Sequence, residues 1–239
     1  MSIILKQGWR LYRQNFGTLA AVVVAVWSPC ELLSSYMDAF VFGEEGWRKS
    51  IRLTLFLDNF FGIIATGGVI TIGYSSLSGG SLTFGTALGM GAAAWGRMFW
   101  TRCLIGLAVI GGFLLLVIPG IYLCVRLAFI EPVVICEKVY GTTAIRRSFE
   151  LTKGQFWFIF RLGLVLITLL LLMIGLFVFL PAILIPALDN WLVDAATQLA
   201  ADVLSAFCTL CLVTAYVSFL NEKKLSEPPE VLKSTQLGF

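Results

Sequence analysis

FWFIFRLGLVLITLLLLMIGLFVFLPAILIPAL, residues Phe156–Leu188, holds one charged side chain, Arg161. About 20 apolar residues in a helix cross the hydrocarbon of a bilayer, and this run exceeds that length. Proline lacks the amide proton a helix interior needs, so Pro181 and Pro186 are expected to end the span and leave an interfacial segment beyond it. A soluble fold has no place for such a stretch without exposing a large apolar patch. It reads as a helix in lipid.

The rest of the chain agrees. Of 239 residues, 59% are hydrophobic and 13% charged, against about a quarter charged in soluble domains, and the mean hydropathy is +0.91. Five further apolar runs emerge: Gly17–Phe40, Leu53–Tyr74, Thr101–Pro119, Gly120–Cys136 and Trp191–Leu220. Val117-Ile118-Pro119-Gly120 reads as a tight turn between the third and fourth. The fourth is short, carries Arg126, Glu131 and Pro132, and either spans or re-enters. The expected fold is therefore all-α, an integral membrane bundle of about six transmembrane helices. It forms a single domain over residues 1–220, with a disordered cytoplasmic tail over Asn221–Phe239.

Lysine and arginine set the orientation. With the N-terminus inside, the inner segments carry Lys6, Arg10, Arg13, Arg97, Arg102, Lys138, Arg146, Arg147, Lys153, Arg161, Lys223, Lys224 and Lys233, and the outer ones Arg48, Lys49 and Arg52. Both termini are expected in the cytoplasm of a cell whose inner membrane holds the protein. Lys6, Arg10 and Arg13 precede the first run without a small-residue cleavage site behind it, so the first span is expected to stay uncleaved. The net charge of +3 beside apolar runs suits an anionic leaflet and not nucleic acid.

A weak repeat is visible. Segments Gly8–Phe16, Ala87–Trp95 and Ser148–Phe156 each end in an aromatic residue and lead into a span. The unit would be an interfacial helix plus a helical hairpin, used three times. In the third copy Ala144, Ile145, Ser148, Phe149 and Thr152 share one helical face, and Arg146, Arg147, Glu150 and Lys153 the other. Such a helix is expected to lie among headgroups with its apolar face toward acyl chains, Arg146, Arg147 and Lys153 forming a lipid interface.

Chemistry is sparse. The chain has no histidine, which excludes Ser-His dyads and histidine metal sites. Cys208 and Cys211 form a C-x-x-C inside a span, read as small hydrophobes. No phosphate loop or dinucleotide fingerprint occurs, so no catalytic, metal or cofactor residue is assigned and no cofactor is expected. The remaining candidates are charges within spans, which are costly in lipid. From their positions along the helices, Asp58, Arg126, Glu31, Asp202 and Glu131 are expected to meet in one polar cluster, with Arg126 neutralising at least one of Asp58, Glu31 and Asp202. The cluster reads as a structural polar core or as a path for protons, ions or polar solutes.

Residues Pro119–Phe158 carry a recognisable order: a Pro-Gly turn, a span with an arginine, Pro132, Glu137, Ala144, Arg147-Ser148, Leu151-Thr152-Lys153-Gly154 and an aromatic pair. This resembles the membrane domain of some bacterial glycerophosphoryl diester phosphodiesterases and related stand-alone membrane proteins. The resemblance implies a bacterial or archaeal cytoplasmic-membrane protein. It does not imply phosphodiesterase chemistry, which in those enzymes belongs to a separate soluble barrel. The expectation is a non-enzymatic module that assists membrane or lipid organisation or a partner protein. Membrane lipids, a protein partner or a second copy are its expected contacts. A transporter or channel is the alternative.

Overall fold

In the computed structural model each strongly apolar run is helical over most of its described residues. Residues 1–42, 46–176 and 190–226 are described, and no strand occurs among them. The helices are α1 (Ser2–Gln14), α2 (Phe16–Met37, continued by a π turn Asp38–Phe42), α3 (Trp47–Leu57) and, after a π turn at Asp58–Gly62, α4 (Ile63–Leu77). There follow α5 (Phe84–Ala93), α6 (Trp95–Leu115), α7 (Val117–Arg126), α8 (Ile130–Cys136), α9 (Gly141–Leu151), α10 (Phe156–Ile174) and α11 (Trp191–Ser226). Six segments are long and apolar enough to cross a membrane: Phe16–Phe42, Trp47–Leu77, Trp95–Leu114, Val117–Cys136, Phe156–Ile174 and Trp191–Lys223. The protein is a multi-pass membrane bundle.

Several boundaries move, each for a local reason. The reversal between the third and fourth spans falls at Leu116, which is extended (φ −171°, ψ 155°), and not at Pro119-Gly120. Those two residues sit in the first turn of α7, where proline's missing amide proton costs nothing. Gly120 is needed for the close return of the hairpin, since a Cβ there would meet the Phe113 ring at 2.6 Å. The fourth span breaks at Leu127–Phe129, and Pro132 lies in the first turn of α8 after that break. The third span begins six residues before the expected Thr101, at Trp95. The last helix runs on to Ser226, so Asn221–Ser226 is helical and not tail. The expected tail beyond it, and the effect of Pro181 and Pro186, lie outside the described residues.

Burial concentrates where the short helices gather. α1 buries Ile4, Gly8, Leu11 and Tyr12, one stripe at helical spacing, and leaves Lys6, Arg10 and Arg13 outward. It packs along α11. α5 goes further in than an interfacial helix would. Ala87 is fully buried, and Gly91 faces Gly67 and the Ile64 carbonyl of α4 so closely that a Cβ on it would collide with backbone. This is the small-residue contact that membrane helices use for close approach. One core joins the ends of α7, α8, α9 and α10 to α4 and α11 around Phe129 and Tyr216; a second joins α1, α2, α4, α5 and α11 around Leu19 and Leu210. By contrast Leu107, Leu114, Ile118 and Leu171 stand open on α6, α7 and α10, as lipid-facing side chains do.

Candidate functional site

The break between α7 and α8 positions the charges. Glu131 becomes the second residue of α8, in a first turn whose dipole favours an anion. Because α6 starts early, Arg102 stands two turns into that helix. Its Nε and Nη2 donate to Glu131 Oε1 at 3.0 and 2.7 Å. Asp58, at the π turn between α3 and α4, lies within the fields of both Arg102 and Glu131. Asp202 on α11 lies within the fields of Glu31 and Asp58, and its Oδ2 is buried without a hydrogen bond.

Four of the five expected residues thus form a chain of electrostatic neighbours, Glu131 beside Asp58, Asp58 beside Asp202 and Asp202 beside Glu31. Arg126 is placed elsewhere. Its guanidinium sits 4.8 Å from the Phe149 ring centre and 5.8 Å from that of Tyr122, its Nε is buried without a hydrogen bond, and no ion pair among the described residues includes it. α7 ends at Arg126, and the turn after it carries this residue to α9. The cation among the acids is Arg102.

A second polar knot lies around α9. The carbonyl of Arg126, freed where α7 stops, accepts hydrogen bonds from Ser148 Oγ at 2.8 Å and Thr152 Oγ1 at 3.4 Å. Both donors are fully buried, so the face of α9 expected to meet acyl chains instead packs on protein. Arg147 Nε donates to Glu137 Oε2 at 2.8 Å, and Tyr216 Oη donates to Glu137 Oε1 at 3.0 Å. Arg147 also reaches Glu150 at 3.5 Å. Burial works against the Arg147 charge, and Glu137 and Glu150 more than offset it, holding its guanidinium above the ordinary arginine range. Of the three expected lipid-interface residues, Arg147 is therefore turned inward. Arg146 is 84% exposed and pairs with Glu150 across one turn; Lys153 is exposed. The motif Arg147-Ser148-x-x-x-Thr152 acquires a local meaning: one residue ties α9 to the end of α8, and two cap the end of α7. Gly154, at φ +83°, ends the turn beyond.

Sequence reasoning missed Arg102, Glu137 and Tyr216. A third span beginning at Thr101, as hydropathy suggests, leaves Arg102 at the interface, whereas α6 begins at Trp95. Nothing in residue spacing links Tyr216 to Glu137.

Glu31 also opens onto a cleft of about 670 Å³ between α2, α3 and α11, which Ser34, Asp38, Thr54, Asp194 and Gln198 help to line. Ser50 Oγ donates to Asp38 Oδ2 at its rim at 3.0 Å. Asp202 and Asp58 do not line it. Among the described residues no three histidine, cysteine or acidic side chains are grouped to hold a metal.

Residues 98–223, just over half of the chain, match the family model described as the membrane domain of glycerophosphoryl diester phosphodiesterase. No curated protein and no solved structure matches.

Proposed function

Because this chain belongs to the family of the membrane domain of glycerophosphoryl diester phosphodiesterase, we propose that it is a non-enzymatic module of the bacterial inner membrane, with both termini cytoplasmic. It works by contact with lipids or with a partner protein. One observation carries the reading. Within the matched residues two ion pairs and a tyrosine hold helices together: Arg102–Glu131 joins α6 to α8, and Glu137 gathers α9 and α11 through Arg147 and Tyr216. Partly buried polar groups that pair with one another in this way fix register and mutual position of helices. Support for the topology is the concentration of lysine and arginine on the segments that share a side with the N-terminus. The three short helices α1, α5 and α9, each before an odd-numbered span, fit the chain order of three repeats of short helix and hairpin, with α5 set deeper than an interfacial helix.

The test is extraction straight from the membrane into polymer-bounded discs, followed by lipid analysis and crosslinking. The module reading expects lipids enriched over the bulk membrane or one crosslinked protein partner. Bulk lipid composition with no partner would sink it. A transporter or channel for protons or cations is the second reading, and the cleft at Glu31 is the observation that favours it.

A further inference from the structure

The outward face of α1 meets the end of α4 in a groove of about 530 Å³, walled by Lys6, Gln7, Arg10 and Gln14 of α1 and Ser76 of α4, with Ile3 at one end. We propose that this groove holds the headgroup of an anionic phospholipid from the leaflet on the N-terminal side. The proposal deepens the lipid-contacting reading above and rests on it.

Charge is the first argument. Lys6 and Arg10 stand one helical turn apart, and like charges at that spacing oppose the helix that carries them unless an anion lies between. Neither enters an ion pair among the described residues, and α1 contains no acidic residue. The basic residues of α9 differ here: Arg147 is held by Glu137 and Glu150, and Arg146 by Glu150. Both arginines of α9 are thus paired, whereas Lys6 and Arg10 of α1 are not; Lys153, just beyond the end of α9, is exposed and also outside the ion pairs among the described residues.

Depth is the second argument. Trp9 on α1 and Phe16 at the start of α2 are half exposed, and aromatic side chains of this kind sit at headgroup level. Ile3, 74% exposed, offers an acyl chain an apolar neighbour. A free phosphate needs neither feature, whereas a phospholipid uses both. The polar wall suits a phosphate ester with a hydroxylated headgroup, since Gln7 and Gln14 supply amide donors beside the two cations. The groove is also braced: Ser76 Oγ donates to Asn15 Oδ1 at 3.1 Å, tying the end of α1 to the end of α4.

The experiment is calorimetric titration of the full chain, in uncharged detergent, with dihexanoyl phosphatidylglycerol, dihexanoyl phosphatidylcholine or inorganic phosphate. Phosphatidylglycerol is expected to bind at least about tenfold more tightly than phosphatidylcholine, which has the same phosphate and chains but no net charge. A basic group near an anionic surface is worth about a factor of five, so Lys6→Gln with Arg10→Gln should weaken phosphatidylglycerol by about thirtyfold. Lys6→Arg should retain binding, and Arg146→Gln with Lys153→Gln should change it less than about threefold. If the first double variant does not fold, Gln7→Glu, which places a carboxylate on the exposed wall, must weaken binding instead. Equal binding of the two lipids, equal losses from the α1 and α9 variants, or no loss from Gln7→Glu would overturn the site. Displacement of the lipid by inorganic phosphate at equal concentration would overturn the choice of a lipid. If the parent binds no phosphatidylglycerol while the membrane-extracted protein still carries enriched lipids, the groove is wrong and the module reading stands.

Discussion

Replacing Glu131 by Gln strips Arg102 of its one ion-pair partner among the described residues. Both guanidinium donors converge on Glu131 Oε1, so no second oxygen takes over when that atom loses its charge. Removing one partner of a fully buried pair costs about 3–5 kcal/mol. Arg102 and Glu131 keep 21% and 34% of their side-chain surface open in the bundle, so water or lipid headgroups relieve part of that cost, and about 2–3 kcal/mol is expected. For a chain of this size that corresponds to roughly 4–12 °C in midpoint. The assay is a double-mutant cycle by thermal unfolding in one detergent, with Glu131→Gln, Arg102→Leu and the pair. The singles should each lose about 2–3 kcal/mol and the double well under their sum, because the second change removes a charge already left without a partner. Arg126→Leu is the control, since that side chain rests on Phe149 and Tyr122. Coupling between Arg126 and Glu131, with none between Arg102 and Glu131, would refute the arrangement.

Gly91→Ala should lose about 1–3 kcal/mol by differential unfolding, because its Cβ would strike the Ile64 carbonyl of α4, whereas Gly85→Ala, with open space around it, should be neutral. Arg147→Gln should destabilise by about 1–2 kcal/mol through the Glu137 contact, and the exposed Arg146→Gln should stay within about 0.5 kcal/mol in the same measurement. Tyr12 has its hydroxyl ionisation pushed up by burial, so its contribution is intact below the unfolded-state pKa of about 10 and lost as pH rises through the folded value. The alkaline loss of stability should accordingly be shallower in Tyr12→Phe, and an unchanged profile would show that other groups set it. A cytoplasm-active reporter fused after Phe239 and a periplasm-active one at Gly46 should both give signal; a silent reporter at Phe239 would mean an odd number of spans.

The helices were legible because lipid imposes a length and a composition that no other solvent does: Phe156–Leu188 and its five counterparts could be read as spans from the sequence. The proposed orientation rests likewise on residue counts. The site was legible only as an inventory. Glu31, Asp58, Asp202 and Glu131 are the acids within spans that the sequence pointed to, half-buried except for the exposed Asp58, yet the choice of cation turned on a boundary. Moving the start of α6 from Thr101 to Trp95 carries Arg102 into the bundle, and stopping α7 at Arg126 carries that residue to Phe149. Both follow from backbone breaks, at Ala94 and at Leu127–Phe129, that hydropathy does not register. The amphipathic pattern of α9 was read correctly as one-sided, but periodicity reports only that a face is covered. Buried Ser148 and Thr152 marked that cover as protein, since lipid offers a hydroxyl no carbonyl.

The reading of a structural module against that of a transporter is decided most directly by flux. Purified protein in liposomes of defined lipid, carrying an internal pH dye and an imposed potential, should leak protons and monovalent cations no faster than empty liposomes. The Glu31→Gln variant should be indistinguishable from the parent. A proton or cation flux well above the empty control, abolished by Glu31→Gln in a protein that remains folded, would contradict the account.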